Sequence, residues 1–135
     1  MIKATMKTKA MDLRFYGSDR NVNVIGMAGE NAQRAGVDQL CTFKPIPLSQ
    51  IERPDGPPGL VMVNPPYGAR VGKKKDLYAL YGTFGDIMRE RFSGWRIGMV
   101  TSDTQLANAA KLEWDEVSKP IAHGGLKVRL FVKQL

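Results

Sequence analysis

Short runs of hydrophobic residues alternate with longer amphipathic segments along this chain. Apolar runs that are bounded by glycine, proline or polar residues are typical of strands in a sheet. We predict such strands over residues 13–17, 39–44, 60–63 and 96–101. Between the last two, apolar residues recur at helical spacing and predict a helix over residues 76–92, namely Leu77, Leu80, Tyr81, Phe84, Ile87, Met88 and Phe92.

Three further helices are predicted from weaker signals. One covers residues 21–35 and is expected to end at Gly36, although Gly26 and Gly29 lie inside it. The other two are short, over residues 2–11 and 103–111. The segment 45–58 is predicted to be a loop because of its prolines, Pro45, Pro47, Pro54, Pro57 and Pro58.

The C-terminal part of the chain has the pattern of a β-hairpin. Residues 113–121 and 126–133 are predicted to pair antiparallel across the turn His123-Gly124-Gly125. Strands that alternate with helices and end in a hairpin predict an α/β fold whose sheet has an antiparallel C-terminal edge. The length of 135 residues fits one domain, which we place over residues 1–135.

A distinctive motif follows the strand at residues 60–63. The apolar run is followed by Asn64, Pro65, Pro66 and Tyr67. Because proline cannot donate a ladder hydrogen bond, the strand must end at Asn64. In open α/β sheets, ligands bind at the carboxyl ends of the strands, so this motif is a candidate site.

The residue types of this motif suit methylation of an exocyclic amine on a planar base. The Asn64 side-chain oxygen and the Pro65 carbonyl could accept the two N–H bonds of the amine and direct its lone pair toward an electrophilic methyl group. Tyr67 could stack on the base, which must leave a duplex to be reached. The prolines restrict the loop, and accurate positioning lowers a reaction barrier substantially. The alternative is a plain turn that ends the strand.

With Gly68 and Arg70, this motif resembles NPPYGxR, which is found in UPF0020-like RNA methylases. These enzymes use S-adenosylmethionine (SAM) to methylate guanine in ribosomal RNA at its exocyclic amine. The resemblance extends from Phe15 to Leu135 and includes residues 16–19, 31–37, 77–81, 94–102 and 124–130. It implies a Rossmann-like SAM-dependent methyltransferase fold. It also implies a catalytic role for Asn64, Pro65, Pro66 and Tyr67.

The resemblance also implies where SAM binds. Asp19 matches the acid that accepts hydrogen bonds from the ribose, and Ser18 lies beside it. Because residues 42–47 contain no acid, adenine contacts are expected from the backbone or from Phe43 or Pro45. Asn64 is expected near the cofactor as well as the base. The alternative for Ser18 and Asp19 is that either caps the N-terminus of the following helix.

One part of the family pattern has no match. The family has a first strand and a glycine-rich loop that wraps the methionine end of SAM, but the residues before Phe15 show neither. We therefore predict an N-terminally truncated methyltransferase domain that lacks its central strand. Either the strands over residues 13–17 and 60–63 pair directly, or another chain, for example in a homodimer, fills the gap.

The charge of the chain favours an anionic partner. There are 20 Lys and Arg against 13 Asp and Glu, which gives a net charge of +7. Near the motif, Arg70, Lys73, Lys74 and Lys75 are candidates to bind an RNA backbone. The alternative for the three lysines is a solvated surface, and Tyr78 and Tyr81 are expected in the core or at the rim.

Other classes of function find little support in the sequence. The single cysteine, Cys41, excludes an internal disulfide and fits a reducing cytoplasm. No apolar run has the length of a membrane span, and the lone His123 predicts no metal site. The leading hypothesis is a SAM-dependent methyltransferase acting on ribosomal RNA. The alternatives are a non-catalytic RNA-binding remnant, an adenine-specific DNA methylase, and methylation of a protein glutamine.

Overall fold

The computed structural model describes residues 13–68 and 73–135. The chain divides into two compact units, residues 1–51 and residues 52–135. The helix predicted over residues 2–11 lies outside the described residues. Among the described parts of the chain, no helix has the length and hydrophobicity needed to cross a membrane.

The described residues of the first unit form a βαβ motif. Strand β1 covers Phe15–Ser18, helix α1 covers Val22–Ala35, and strand β2 covers Cys41–Lys44. The two strands are parallel, and Phe15 is the register partner of Cys41. Strand β2 begins later than predicted because residues 38–40 form a 3₁₀ turn that precedes it.

Local signals explain both ends of α1. The Asn21 side chain accepts hydrogen bonds from the backbone N–H groups of Asn23 and Val24 and so caps the N-terminus. Gly36 ends the helix with a φ of 73°, a left-handed conformation that glycine adopts without steric strain. The predicted stop at Gly36 is therefore confirmed, and the two internal glycines do not break the helix.

The second unit contains a five-stranded mixed sheet. Its elements are β3 (Leu60–Val63), α2 (Lys74–Arg91), β4 (Arg96–Thr101), α3 (Thr104–Ala109), β5 (Glu116–Val117), β6 (Ile121–His123) and β7 (Leu126–Gln134). The strand order is β3-β4-β7-β5, and β6 also pairs with β7. Strands β3 and β4 are parallel, whereas β7 is antiparallel to β4, β5 and β6. The predicted α/β sheet with an antiparallel C-terminal hairpin is confirmed.

The prediction for the first strand of the hairpin is wrong in detail. It is two short strands, β5 and β6, rather than one strand over residues 113–121. Glu113 has a φ of 55°, which is not an extended conformation. Before β6, the Ser118 hydroxyl accepts the Leu130 N–H at 2.9 Å, and Pro120 has no N–H to donate to a ladder. The pairing is therefore interrupted between the two strands.

The core of the second unit is formed by α2, α3 and the sheet. Its most completely buried side chains are Tyr81, Met88, Ile97, Met99, Thr101, Leu106 and Phe131. Helix α2 approaches the end of α3 so closely that a Cβ on Gly85 would lie 1.8 Å from the Ala110 carbonyl oxygen. This close packing fixes the middle of α2, one turn after Tyr81, against the end of α3.

Strands β1 and β3 each have a partner on one side only. Among the described residues, β1 pairs with β2 and β3 pairs with β4, in separate sheets. The side chains of Leu60 and Met62 on β3 are more than half exposed, at 58% and 55%.

Candidate active site

The Asn64–Tyr67 loop leaves β3 at its carboxyl end. Because β3 and β4 are parallel and Val63 is the register partner of Met99, the end of β4 lies at the same edge of the sheet. Asn64 is exposed, whereas Tyr67 is partly buried. The predicted placement of the motif at a strand's carboxyl end is thus confirmed.

A buried tyrosine on α2 is hydrogen-bonded to this loop. The Tyr81 hydroxyl on α2 donates a hydrogen bond to the Pro66 carbonyl oxygen at 3.0 Å. The same hydroxyl lies 3.1 Å from the Thr101 Oγ1 atom at the end of β4. Both side chains are completely buried, so neither can exchange these partners for water.

The electrostatics of the site favour a neutral Tyr81. Burial raises the pKa of Tyr81, and nearby Asp103 and Tyr67 act in the same direction, while the hydrogen bond with Thr101 opposes them. The hydroxyl therefore remains a proton donor throughout the neutral pH range. Asp103 itself caps α3, since its Oδ1 atom accepts the Leu106 N–H at 3.0 Å.

The spacing of apolar residues placed Tyr81 in the core or at the rim and did not reveal its contact with the motif. A buried tyrosine hydroxyl normally requires a hydrogen-bond partner, and this is the one signal that could have led to Pro66. Tyr78 lies about one turn earlier on α2. Its hydroxyl donates a hydrogen bond to Gln105 Oε1 at 3.2 Å instead of to the loop.

Three exposed lysines surround the start of α2. The helix has no side-chain cap, and its first turn contains a single acid, Asp76. Positive charge at a helix N-terminus opposes the macrodipole, so this arrangement is locally unfavourable unless an anion binds nearby. The residues are Lys73, Lys74 and Lys75. Arg70, predicted to act with them, lies outside the described residues.

The loop after β1 places an exposed carboxylate at the end of that strand. Asp19 donates its backbone N–H to the Lys44 carbonyl oxygen at 3.3 Å, and its Oδ1 atom accepts the Asn21 N–H at 2.8 Å. Asn21 is the helix cap, so the alternative that Ser18 or Asp19 caps α1 is wrong. Their role with a ribose stays a prediction.

The Phe43 ring lies against the backbone of Gly17. A Cβ on Gly17 would be 2.8 Å from the Phe43 ring, so only glycine permits this approach. The two residues are register partners in the parallel pair. An aromatic ring is therefore fixed on the same two strands that carry Ser18 and Asp19.

In residues 13–68 and 73–135, no group of three or more His, Cys, Asp or Glu side chains is arranged to hold a metal ion. Cys41 is partly buried at the start of β2, and His123 is exposed at the end of β6.

The family of the chain follows from a comparison with family models. The UPF0020 family, described as the RMKL-like methyltransferase domain, matches residues 1–129. The chain belongs to this family. The predicted resemblance to the UPF0020-like methylases is confirmed.

The curated relatives of the chain have consistent names. The ribosomal RNA large subunit methyltransferase K/L of Shewanella sp. (strain MR-4) is 39% identical over 117 residues, which cover 87% of this chain and 16% of that protein. The protein of the same name from Aliivibrio fischeri (strain MJ11) is 39% identical over 119 residues, covering 87% and 17%. The chain thus spans about one sixth of the length of these relatives.

Solved structures confirm the Rossmann-like methyltransferase fold. A possible methylase from Clostridium difficile 630 is 29% identical with a TM-score of 0.79, covering 90% of this chain and 32% of that one. The protein SMU.472, solved in complex with SAH, is 24% identical with a TM-score of 0.80, covering 89% of this chain and 31% of that one.

Proposed function

We propose that the chain takes part in SAM-dependent methyl transfer to the exocyclic amine of a flipped base, guanine in ribosomal RNA. The observation that carries this proposal is the hydrogen bond from Tyr81 to Pro66, which holds the loop at the carboxyl end of β3. The names of the relatives, ribosomal RNA large subunit methyltransferases, support the choice of RNA.

The loop would act by orienting the amine. Asn64 Oδ1 and the Pro65 carbonyl oxygen would each accept one N–H bond, which localises the nitrogen lone pair. Tyr67 would stack on the base. When bound, SAM would supply an electrophilic methyl group, with its sulfur as the leaving group, to the amine that Asn64 and Pro65 orient. The methylated amine would then lose a proton to solvent. No general base is needed, so positioning is the main contribution of the chain.

The residues present fit a bound adenosine moiety. The Asp19 carboxylate is exposed, and only its Oδ1 atom has a hydrogen bond among the described residues, so Oδ2 can accept from a ribose hydroxyl. Phe43 offers an aromatic ring, held over Gly17, to the adenine. Ser18 and Asn64 complete the proposed set of cofactor-binding residues.

The basic residues would bind the RNA backbone. Phosphates beside Lys73, Lys74 and Lys75 would offset the repulsion between these lysines and the N-terminus of α2. Arg70 is proposed to act with them. Affinity for RNA should therefore fall steeply as the salt concentration rises.

A further strand is proposed to pair with the unpartnered edges of β1 and β3, for example from a second copy of the chain in a homodimer. The free backbone edges of these two strands among the described residues support this proposal. Sedimentation of the purified chain should then show a dimer, and a monomer at all concentrations would contradict it. A ribosomal RNA substrate agrees with the proposed cytoplasmic location.

The first test of the proposed function is a calorimetric titration of SAM into the 135-residue chain. Binding at micromolar strength, about −8 kcal/mol, would support a working cofactor site. RNA binding without SAM binding would instead favour the RNA-binding remnant.

A substrate screen then identifies the acceptor. The chain is incubated with labelled SAM and, in parallel, unmodified large-subunit ribosomal RNA, DNA and protein extract. The same screen uses a chimera in which the 117 matched residues replace the corresponding segment of the Shewanella relative. Labelled guanine in RNA supports the proposal, whereas label in DNA alone would identify an adenine-specific DNA methylase.

A further inference from the structure

A line of hydrogen bonds connects the end of β4 with the double-proline loop. The Asp103 backbone N–H donates to Thr101 Oγ1 at 3.2 Å, Thr101 lies 3.1 Å from the Tyr81 hydroxyl, and that hydroxyl lies 3.0 Å from the Pro66 carbonyl oxygen. A carbonyl oxygen can only accept, and a tyrosine has only one hydroxyl proton. Tyr81 therefore donates to Pro66, and Thr101 must donate to Tyr81.

Every bond in this line runs in the same direction. Each hydroxyl accepts one hydrogen bond and donates the next, so the groups polarise one another and the bond to Pro66 is strengthened. The line is completely buried at Tyr81 and Thr101, where removal of one partner leaves a polar group without water. The Pro66 carbonyl is thus held in one orientation.

This arrangement distinguishes the two prolyl carbonyls of the motif. The Pro66 carbonyl oxygen accepts the hydrogen bond from Tyr81, which uses one of its two acceptor positions. Among the described residues, no hydrogen bond reaches the Pro65 carbonyl, which leaves it available to a ligand. The line of hydrogen bonds thus fixes the Pro66 carbonyl, whereas the Pro65 carbonyl keeps both acceptor positions for a ligand.

We propose that Tyr81 and Thr101 are positioning residues, which fix the Asn64–Tyr67 loop in the geometry that orients the substrate amine. Tyr81 acts on the loop directly, and Thr101 acts through Tyr81. This inference rests on the proposed function for the reaction itself. The fixed orientation of the loop can be measured without any reaction.

The decisive variant is Tyr81→Phe, which keeps the buried ring and removes only the hydroxyl. In isotope-labelled protein, it should move the ¹³C resonance of the Pro66 carbonyl and increase the backbone mobility of Tyr67 and Gly68. The resonances of β4 should change little. In the chimera, kcat should fall about ten- to a hundredfold, while KM for RNA and the Kd for SAM stay within about twofold.

Matched variants on the same elements serve as controls. Tyr78→Phe removes a hydroxyl from the same helix that bonds to Gln105 instead, and it should leave the loop and kcat unchanged. Thr101→Ser keeps the hydroxyl and should retain wild-type behaviour. Thr101→Val has nearly the same shape but no hydroxyl, and it should reproduce part of the effect of Tyr81→Phe.

The results separate this inference from the proposed function. If Tyr81→Phe leaves the Pro66 resonance and the mobility of Tyr67 like those of Tyr78→Phe, the positioning role is overturned. A change in KM without a change in kcat would also overturn it. If the loop responds as expected but neither the wild-type chain nor the chimera methylates RNA, the proposed function fails and the fixing of the loop by Tyr81 is still supported.

Discussion

The two units of the chain differ most in how much core each contains. In residues 52–135, the sheet and helices bury large side chains such as Ile97, Met99 and Phe131. In the described part of the first unit, Ala32 is the one buried hydrophobic residue, and Phe15 and Tyr16 are about half exposed. The second unit therefore has the hydrophobic core of a stable fold, whereas the first depends far more on local hydrogen bonds.

The candidate functional loops differ in the same way. The Asn64–Tyr67 loop is held by a buried hydroxyl on α2. The loop at Asp19 is held by hydrogen bonds that are exposed to solvent. A methyl transfer that depends on accurate orientation of the amine benefits from the rigid loop. A carboxylate that binds a flexible ribose tolerates a less rigid support.

The sharpest test of this difference compares two Phe→Ala substitutions. Phe131→Ala removes a side chain that is 1% exposed and packs on Trp114, and it should lower the free energy of unfolding by about 3–5 kcal/mol. Phe15→Ala removes one that is 52% exposed and should cost less than about 1 kcal/mol. Urea unfolding monitored by circular dichroism measures both, and equal effects would contradict the comparison.

Two Gly→Ala substitutions should change the free energy of unfolding in opposite directions. Gly85→Ala would place a Cβ 1.8 Å from the Ala110 carbonyl oxygen, and separating α2 from α3 should destabilise the fold by about 1–3 kcal/mol. Gly26→Ala meets no atom within 4 Å in α1 and should stabilise that helix by about 0.5–1 kcal/mol. Thermal unfolding of both variants shows whether each substitution stabilises or destabilises the fold. An unchanged stability of Gly85→Ala would contradict the close packing.

The smallest effect concerns acid stability of the second unit. The Gln134 backbone N–H, at 2.7 Å, and Lys133 lower the pKa of Asp115. Since the folded-state pKa is the lower one, Asp115 stabilises the fold above about pH 4, the usual value for Asp, and this contribution is lost as the pH falls through the folded-state pKa. Unfolding measured between pH 6 and 3 should show a steeper loss for the wild type than for Asp115→Asn.

Sequence patterns located the strands near the site well. The bounds predicted for β3 and β4 are those observed. The apolar run of β3 lies between Gly59 and Asn64, and β4 begins at the charged Arg96 and ends before the polar Ser102. The patterns failed where a single residue changes the backbone, as at Glu113 and Pro120 in the hairpin. They also missed the Asn21 cap, since Ser18 and Asp19 are equally suitable residue types nearby.

These sequence patterns did not predict the role of Tyr81, for a different reason. Helical spacing shows which face of α2 is buried, but it carries no information about the partner of a hydroxyl group. That partner, Pro66, is close only because β3, α2 and β4 fold together. The motif itself could be recognised from the sequence, whereas the means by which it is held required the structure.

The most direct test of the account measures transfer of a labelled methyl group from SAM to large-subunit ribosomal RNA by the chimera, with and without Asn64→Ala. The matched control is Asn108→Ala, which removes an exposed amide on α3. The account predicts methylation at the exocyclic amine of guanine, a loss of at least about tenfold in kcat for Asn64→Ala, and no change for Asn108→Ala. Undiminished methylation by Asn64→Ala would contradict the proposal that this loop orients the amine.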